Sequence, residues 1–385
     1  MAEPGDRFYV TRSGTSLIAV VSGSRPPRDS GFRIASAHTD APGFRVKPEP
    51  ERVTGGITTL GVEVYGGPIL ATWFDRDLGV AGRLVTRADG SLEQRLYTVG
   101  RPVCRITTPA IHLNRNANKE GFKVNEEDNL PPILTASEGG LGRLLEEAAG
   151  SAGIDPGGVV GWSMELYDLQ PPATGGLDEE FVIGGRLDDL AMCHAVLRAL
   201  PGGEPSESTV VAALFDSEEV GSTTVSGAGS SFLASVLERL SGPTREDYFR
   251  AASRSVQVSA DGAHALHPNY ADRHDRNSRP ALNGGPVVKV NAKERYASTP
   301  LSAAYFRSCA ALAGVETQTF VNRSDAPCGS TIGPVTSAGT GILTVDAGNP
   351  MLSMHSVREM AGARDHASMI EVLKVHFRGT VDIPV

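Results

Sequence analysis

What is scarce in these 385 residues excludes several classes of protein at once. No run of about 18 apolar residues occurs, the length a helix needs to cross a bilayer, so no membrane partner is expected. Positive charge is in deficit. The 36 Lys and Arg stand against 45 Asp and Glu, a net charge of -9, whereas a nucleic-acid binder needs a basic face to neutralise phosphates. The first six residues lack the basic-then-apolar order of a secretory signal. The four cysteines, Cys104, Cys193, Cys309 and Cys328, form no Cys-x-x-Cys pair, which removes zinc ribbons and thioredoxin-type motifs. Scattered thiols read as reduced, buried small side chains, so a cytoplasmic protein is expected. Ser226-Gly-Ala-Gly-Ser230 lacks the Gly-Lys-Ser/Thr ending of a phosphate loop and reads as a turn.

What is present is ordinary globular material: 40% hydrophobic and 21% charged residues, with 44 Gly and 25 Pro marking many tight turns. Arg7–Arg12, the turn Ser13-Gly14 and residues 15–21 predict a β-hairpin. Residues 31–37 form a short apolar strand that runs into His38-Thr39-Asp40. From about residue 44 to 176 short β-type runs (61–65, 79–86, 103–107) alternate with turns, and one helix is expected over 139–149. Beyond Leu177 strand and helix alternate. Strands are expected at 181–185, 208–215, 255–260, 287–290 and 341–345, and helices at 187–200, 232–240, 300–313 and 365–378. Such alternation predicts an α/β sheet layered between helices. The simplest division is a discontinuous catalytic α/β domain, 1–43 plus 177–385, interrupted by a β-rich domain, 44–176.

Acidic and histidine residues gather at the strand ends. His38 and Asp40 follow one strand, Asp188-Asp189 another, and Asp216, Glu218 and Glu219 the apolar run 210–215. Asp261 ends a further strand, and His355 lies after Asp346. In open α/β sheets the loops at the carboxyl ends of strands converge on one crevice. Taken singly each group has a plainer reading: a local hydrogen bond for His38, a helix cap for Asp188-Asp189, a solvated loop for Glu218-Glu219. Gathered together, mutually repelling carboxylates need a cation, and imidazole plus carboxylate suits zinc and its neighbours.

The stretches Ser36-Ala-His-Thr-Asp40, Gly185-Arg-Leu-Asp-Asp189, Asp216-Ser-Glu-Glu-Val-Gly-Ser222, Ser259-Ala-Asp-Gly-Ala-His264 and Leu352-Ser-Met-His-Ser356, in this order, resemble the aspartyl aminopeptidase family of di-zinc exopeptidases. The segment between them agrees through Tyr65-Gly-Gly-Pro68, Thr72-Trp-Phe-Asp-Arg-Asp-Leu78 and Ile111-His-Leu-Asn-Arg115. Val290-Asn-Ala-Lys-Glu-Arg-Tyr296 and Asp325-Ala-Pro-Cys-Gly-Ser-Thr-Ile-Gly-Pro334 extend the resemblance over nearly the whole chain. It implies a three-layer α/β/α catalytic domain with an inserted β-rich dimerisation domain. It also implies two zinc ions per subunit, with manganese or cobalt as alternatives. One metal would be held by His38, Asp188 and Asp261, the other by Asp188, Glu219 and His355, with Asp188 bridging. Glu218 would be the general base, and Asp40 the partner that fixes the His38 tautomer. Asp189 is expected to cap the helix that follows it.

The resemblance further implies that His112 reaches a neighbouring subunit's site to bind the substrate carbonyl; the pattern alone reads it as structural. A pocket for N-terminal Asp or Glu needs a cation, for which Lys293 is the candidate and Arg295 the alternative; a solvated strand-end lysine is the plainer reading of Lys293. The expected function is removal of N-terminal Asp or Glu from short peptides. The alternatives are a preference for neutral N-termini and, from another class, a catalytically silent assembly protein of the same fold. A homo-oligomer is expected, a tetrahedral dodecamer by resemblance. Family members carry several dozen largely helical residues ahead of the segment matching Arg7-Phe-Tyr-Val10, and no ligand position falls there.

Overall fold

The run Thr209–Phe215 is apolar on both faces and rich in β-branched and small residues, and every one of its residues is buried. That is the pattern of a strand inside a parallel sheet covered on both sides. In the computed structural model, which describes residues 3–88 and 90–384, this strand pairs in parallel with Phe32–His38, which pairs in parallel with Val256–Ala260, and that in turn with Leu343–Gly348. The sheet is completed by Val287–Val290 and Gln318–Val321 on one side and by the hairpin Arg7–Arg12/Ser16–Val21, antiparallel to Thr209–Phe215, on the other.

Alternation along the central strand feeds two helical layers. Val210, Ala212 and Leu214 join a core with Met192, Val196, Phe306 and Leu373, which lie on the helices Leu187–Ala199, Pro300–Leu312 and Ala363–Arg378. Val211, Ala213 and Phe215 pack with Phe232, Leu237, Tyr248 and Ile332 from Phe232–Ser241, Arg245–Ser253 and Ile332–Thr340. The expected three-layer α/β/α architecture is therefore present. Two of its helices open with reciprocal capping boxes, Thr299 with Ser302 and Thr244 with Asp247, each satisfying two otherwise orphaned amides.

Two elements of this layer were not expected. Arg245–Ser253 (REDYFRAAS) carries four charges in nine residues, so its buried stripe of Tyr248, Ala251 and Ala252 is hard to see. Gln318–Val321 is a four-residue edge strand beneath the threshold of any periodicity argument. The strand expected at 341–345 lies at Leu343–Gly348, shifted because Gly341 instead ends the preceding helix with φ 72°. A side chain at Gly348 would collide with the Asp261 backbone, so only glycine allows these two chain segments to approach.

The chain divides into two compact units. The first comprises Met1–Ala41, Ala173–Met354 and Glu359–Val385, and includes a second, five-stranded sheet. The second comprises Pro42–Pro172 with His355–Arg358. It is built on a six-stranded antiparallel sheet over Phe44, Leu60, Trp73, Leu78, Leu84 and Leu166, with Leu144 and Ala148 of the helix Gly140–Ala152 in the same core. Its strands Leu78–Ala88 and Ser91–Cys104 are much longer than the short runs expected there. Much of Ser91–Cys104 is exposed, with only Tyr97, Val99, Val103 and Cys104 buried, so hydrophobic patterning registers little more than its C-terminal end.

Candidate active site

Three parallel strands deliver the acidic groups. Phe32–His38 ends in His38, Thr209–Phe215 leads to Glu218-Glu219, and Val256–Ala260 leads to Asp261. Asp188 comes from the turn opening the Leu187–Ala199 helix, where its backbone is non-helical. Left-handed backbone at Arg186 (φ 60°) and Ser217 (φ 65°) turns the chain just before two of these groups, the kind of conformation that collects at functional sites.

Ligand atoms of His38, Asp188 and Glu219 lie within 4.8 Å of one another. His38 Nε2 is 3.3 Å from Asp188 Oδ1 and 3.8 Å from Asp261 Oδ2. His38 Nδ1 is 3.0 Å from the Asp40 carbonyl oxygen. A carbonyl can only accept, so Nδ1 carries a proton and Nε2 is the ring nitrogen turned toward the carboxylates, where a metal ion could take the place of its proton. His355 repeats the device in the second unit, its Nδ1 donating to the Gly67 carbonyl at 3.0 Å. It too holds a left-handed backbone, φ 67°.

Asp40 does more than orient His38. Its two carboxylate oxygens accept the backbone amides of Glu218 and Glu219, at 3.0 and 3.1 Å. One side chain thus ties the end of one strand to the turn after its neighbour.

Asp189 does not cap its helix. It is fully buried, its Oδ2 accepts the backbone amide of His38 at 3.1 Å, and its Oδ1 has no hydrogen-bond partner. The Asp-Asp sequence suggests a cap, but the turn rotates Asp189 inward beneath the end of the His38 strand. The peptide bond between Asp188 and Asp189 is cis.

The electrostatics are those of anions crowded away from water. Burial, reinforced by Asp261 and Asp188, pushes Glu218 up to about 8. Burial and the charges of Asp188 and Glu218 push Glu219 up to about 9. Burial opposes charge on His38, yet the surrounding Asp189, Asp188 and Asp40 raise its pKa well above the ordinary value. Desolvated carboxylates crowded around one imidazole are what a divalent cation stabilises, in place of the protons these groups otherwise hold, and the donor set fits zinc.

Sequence reasoning missed Lys289. It sits in the apolar strand Val287–Val290, is 2% exposed, and donates to Asp261 Oδ1 at 2.5 Å and to the Gly262 carbonyl at 3.1 Å. Its ammonium lies 5.2 Å from the centre of the Tyr296 ring. The signal was legible, since a lysine inside a four-residue apolar strand needs a buried counter-charge. Lys293 and Arg295 are exposed in the turn that follows. His112 is exposed in a turn of the second unit between Ile111 and Leu113.

The family profile of aminopeptidase I zinc metalloproteases (M18) matches residues 1–377. A probable M18 family aminopeptidase 2 of Pseudomonas aeruginosa is 49% identical over 376 residues, covering 96% of this chain and 87% of that protein. Among solved structures, that of the Ape4 and Nbr1 complex superposes with a TM-score of 0.93 at 38% identity, over 98% of this chain and 77% of that one. The S. cerevisiae mApe1 dodecamer gives 0.84 at 28% identity, over 97% and 86%. The strand-end cluster of histidine and carboxylates is thus set in the scaffold of a known class of hydrolase: the chain belongs to the M18 family of aminopeptidase I zinc metalloproteases and is a metallo-aminopeptidase.

Proposed function

We propose that this aminopeptidase uses two divalent metal ions, zinc in the first instance, to remove N-terminal Asp or Glu from short peptides, with Glu218 as general base. The observation that carries the reading is the convergence of His38, Asp188 and Glu219 within 4.8 Å, with Asp261 against the same imidazole. His38, Asp188 and Asp261 would hold one ion and Asp188, Glu219 and His355 the other. Bound there, the ions would supply Lewis acidity toward the scissile carbonyl and make an attacking water more acidic. Glu218 takes a proton from that water as its oxygen bonds to the carbonyl carbon. It returns the proton to the nitrogen as the C–N bond breaks. Asp40 holds the two glutamates and His38 in one frame through the hydrogen bonds described above.

For the acidic preference Lys293 is the candidate cation, exposed in the turn after Val287–Val290, with Arg295 the alternative; Lys289 is 2% exposed and already committed to Asp261 and the Gly262 carbonyl. We also propose that the chain acts as a homo-oligomer, a tetrahedral dodecamer by analogy, in the cytoplasm, with His112 serving a neighbouring subunit and the β-rich unit making the contacts. One solved relative is described as a dodecamer. Leu92, Leu96 and Leu113 expose 67%, 72% and 84% of their surface on that unit, an apolar burden that suits a contact surface.

The test is hydrolysis of a panel of chromogenic aminoacyl substrates by the metal-loaded protein, with and without chelator. Chelator-sensitive release after Asp and Glu is expected. Chelator-sensitive release after neutral residues instead would leave the mechanism standing and remove Lys293 from the specificity argument. An assembled, metal-loaded protein that cleaves nothing would be the silent scaffold.

A further inference from the structure

A charged cavity of about 380 Å³ opens at the far end of the central sheet from the carboxylate cluster. Its lining includes Arg33, Ser208 and Arg254, which sit at the starts of the strands whose other ends lead to His38, Glu218-Glu219 and Asp261. A seven-residue strand, roughly 20 Å long, separates the two places.

Arg33 is the reason to expect a ligand. Its guanidinium cannot give up its proton, yet the residue is only 5% exposed. Its Nη1 donates to the backbone carbonyls of Phe32 and Arg254 at 3.3 and 3.1 Å. Its buried Nε has no hydrogen-bond partner. Among the described residues no carboxylate lies within ion-pairing distance of Arg33. A buried cation met by two carbonyl dipoles and the Tyr305 hydroxyl, with no carboxylate beside it, is an unbalanced charge.

The neighbours add to the imbalance. Arg25, Arg254 and Arg378 line the same cavity. Of its acidic residues, Glu207 is paired with Arg25 at 3.1 Å, and Asp29 with Arg28 and Arg250, at 3.8 and 3.6 Å. That leaves the carboxylate of Asp382 opposite three guanidinium groups, those of Arg33, Arg254 and Arg378. Arginine forks match tetrahedral oxyanions through paired N–H donors.

We propose that this cavity is a binding site for a phosphate-type oxyanion, either the free ion or the phosphate of a small monoester, held between Arg33, Arg254 and Arg378. The site is separate from peptide hydrolysis, and its occupant stabilises the folded chain because it binds the native state alone.

The experiment is isothermal titration of the whole protein with inorganic phosphate at constant ionic strength, repeated with the double variant Arg254→Gln/Arg378→Gln. Both residues lie at the cavity's accessible side, so the variant is expected to fold and to hydrolyse peptides like the wild type. Saturable binding by the wild type, weakened at least roughly tenfold in the variant, is expected, together with a phosphate-dependent rise in Tm that the variant loses. Arg33→Lys, which keeps the charge but removes the fork and Nε, should weaken binding in the same way. A competition arm with AMP separates the sources: displacement of phosphate identifies a monoester, and its absence the free ion. No saturable binding by the wild type, or equal binding by wild type and double variant, would overturn the proposal; the second result would place the phosphate elsewhere on the chain.

Discussion

Two sets of carboxylates in this chain have opposite surroundings. At the strand ends of the first unit Glu218 and Glu219 are buried among their own kind, and desolvation drives them up to about 8 and about 9. In the second unit Glu127 lies in solvent between Lys47 and Arg52, whose hydrogen bonds and charges hold it down to about 2. The residue type is the same and the sequence context of each is a short acidic run. What differs is whether the fold supplies the compensating cation from its own side chains. Where it does, the pair is a surface decoration of small energetic weight. Where it does so only in part, through His38 and Lys289, and three strands are spent on bringing the anions together, a bound metal ion would supply the remaining compensation.

Removing the proposed base should have the largest effect. Glu218→Gln keeps the shape and the backbone bond to Asp40 but cannot accept a proton. Turnover should fall by about 10²–10⁴, with bound metal unchanged by elemental analysis. Loss of metal along with turnover would make Glu218 a ligand instead. His112→Ala should also lower turnover sharply while metal content and fold stay as they are; wild-type turnover would return His112 to the structural reading. Asp40→Asn is next, since it loosens His38 and both glutamates at once. A loss of about 10–100-fold in metal affinity or activity is expected, and an unchanged zinc titration would show that the backbone carbonyl of residue 40 alone suffices.

How far the sequence reached depends on which physical signal each residue carried. The central sheet was legible because buried parallel strands such as Thr209–Phe215 are unbroken apolar runs. The positions of His38, Glu218, Glu219 and Asp261 followed from where those runs stop, and that of Asp188 from the Gly184-Gly185 turn ahead of its helix. Asp189 was misread because an acidic pair before a helix is locally indistinguishable from a cap; only the tertiary turn shows it buried beneath the His38 strand. Lys289 was passed over because strand periodicity treats a single polar residue as noise. The long hairpin Leu78–Ala88/Ser91–Cys104 was underestimated because one of its strands is largely exposed, leaving hydrophobicity little to register.

A smaller effect separates burial from metal chemistry. His376 is fully buried in the first unit, its Nε2 donating to the Ile34 carbonyl at 2.9 Å and its Nδ1 accepting the Tyr305 hydroxyl at 2.9 Å. Burial, with the nearby Arg33 charge, pushes it down to about 3. The unfolded chain therefore takes up a proton near pH 6.5 that the folded chain refuses until about pH 3. Stability from this group is full above the unfolded value and is lost as pH falls through that window, with a slope of about 1.4 kcal/mol per pH unit. His376→Gln can reproduce both hydrogen bonds without titrating. Its urea midpoint should fall less steeply than the wild type's between pH 6.5 and 3.5, and parallel curves would show that another group governs the acid limb.

The smallest effect is expected where the carboxylate is best compensated. Glu127→Gln removes an anion whose hydrogen bonds from Lys47 and Arg52 lie in open solvent. Its depressed pKa means that whatever it contributes is present above the ordinary value of 4.5 and disappears as pH falls toward about 2. Solvent and salt screen the pair, so the difference between Glu127→Gln and the wild type in urea midpoint should be slight at neutral pH and shrink further as ionic strength rises past the point where the Debye length is about 3 Å, near 1 M. Turnover should not change. A large, salt-insensitive loss of stability would mean that this triad is covered in the working protein, and the contrast between the two sets of carboxylates would then be one of compensation alone, not of burial.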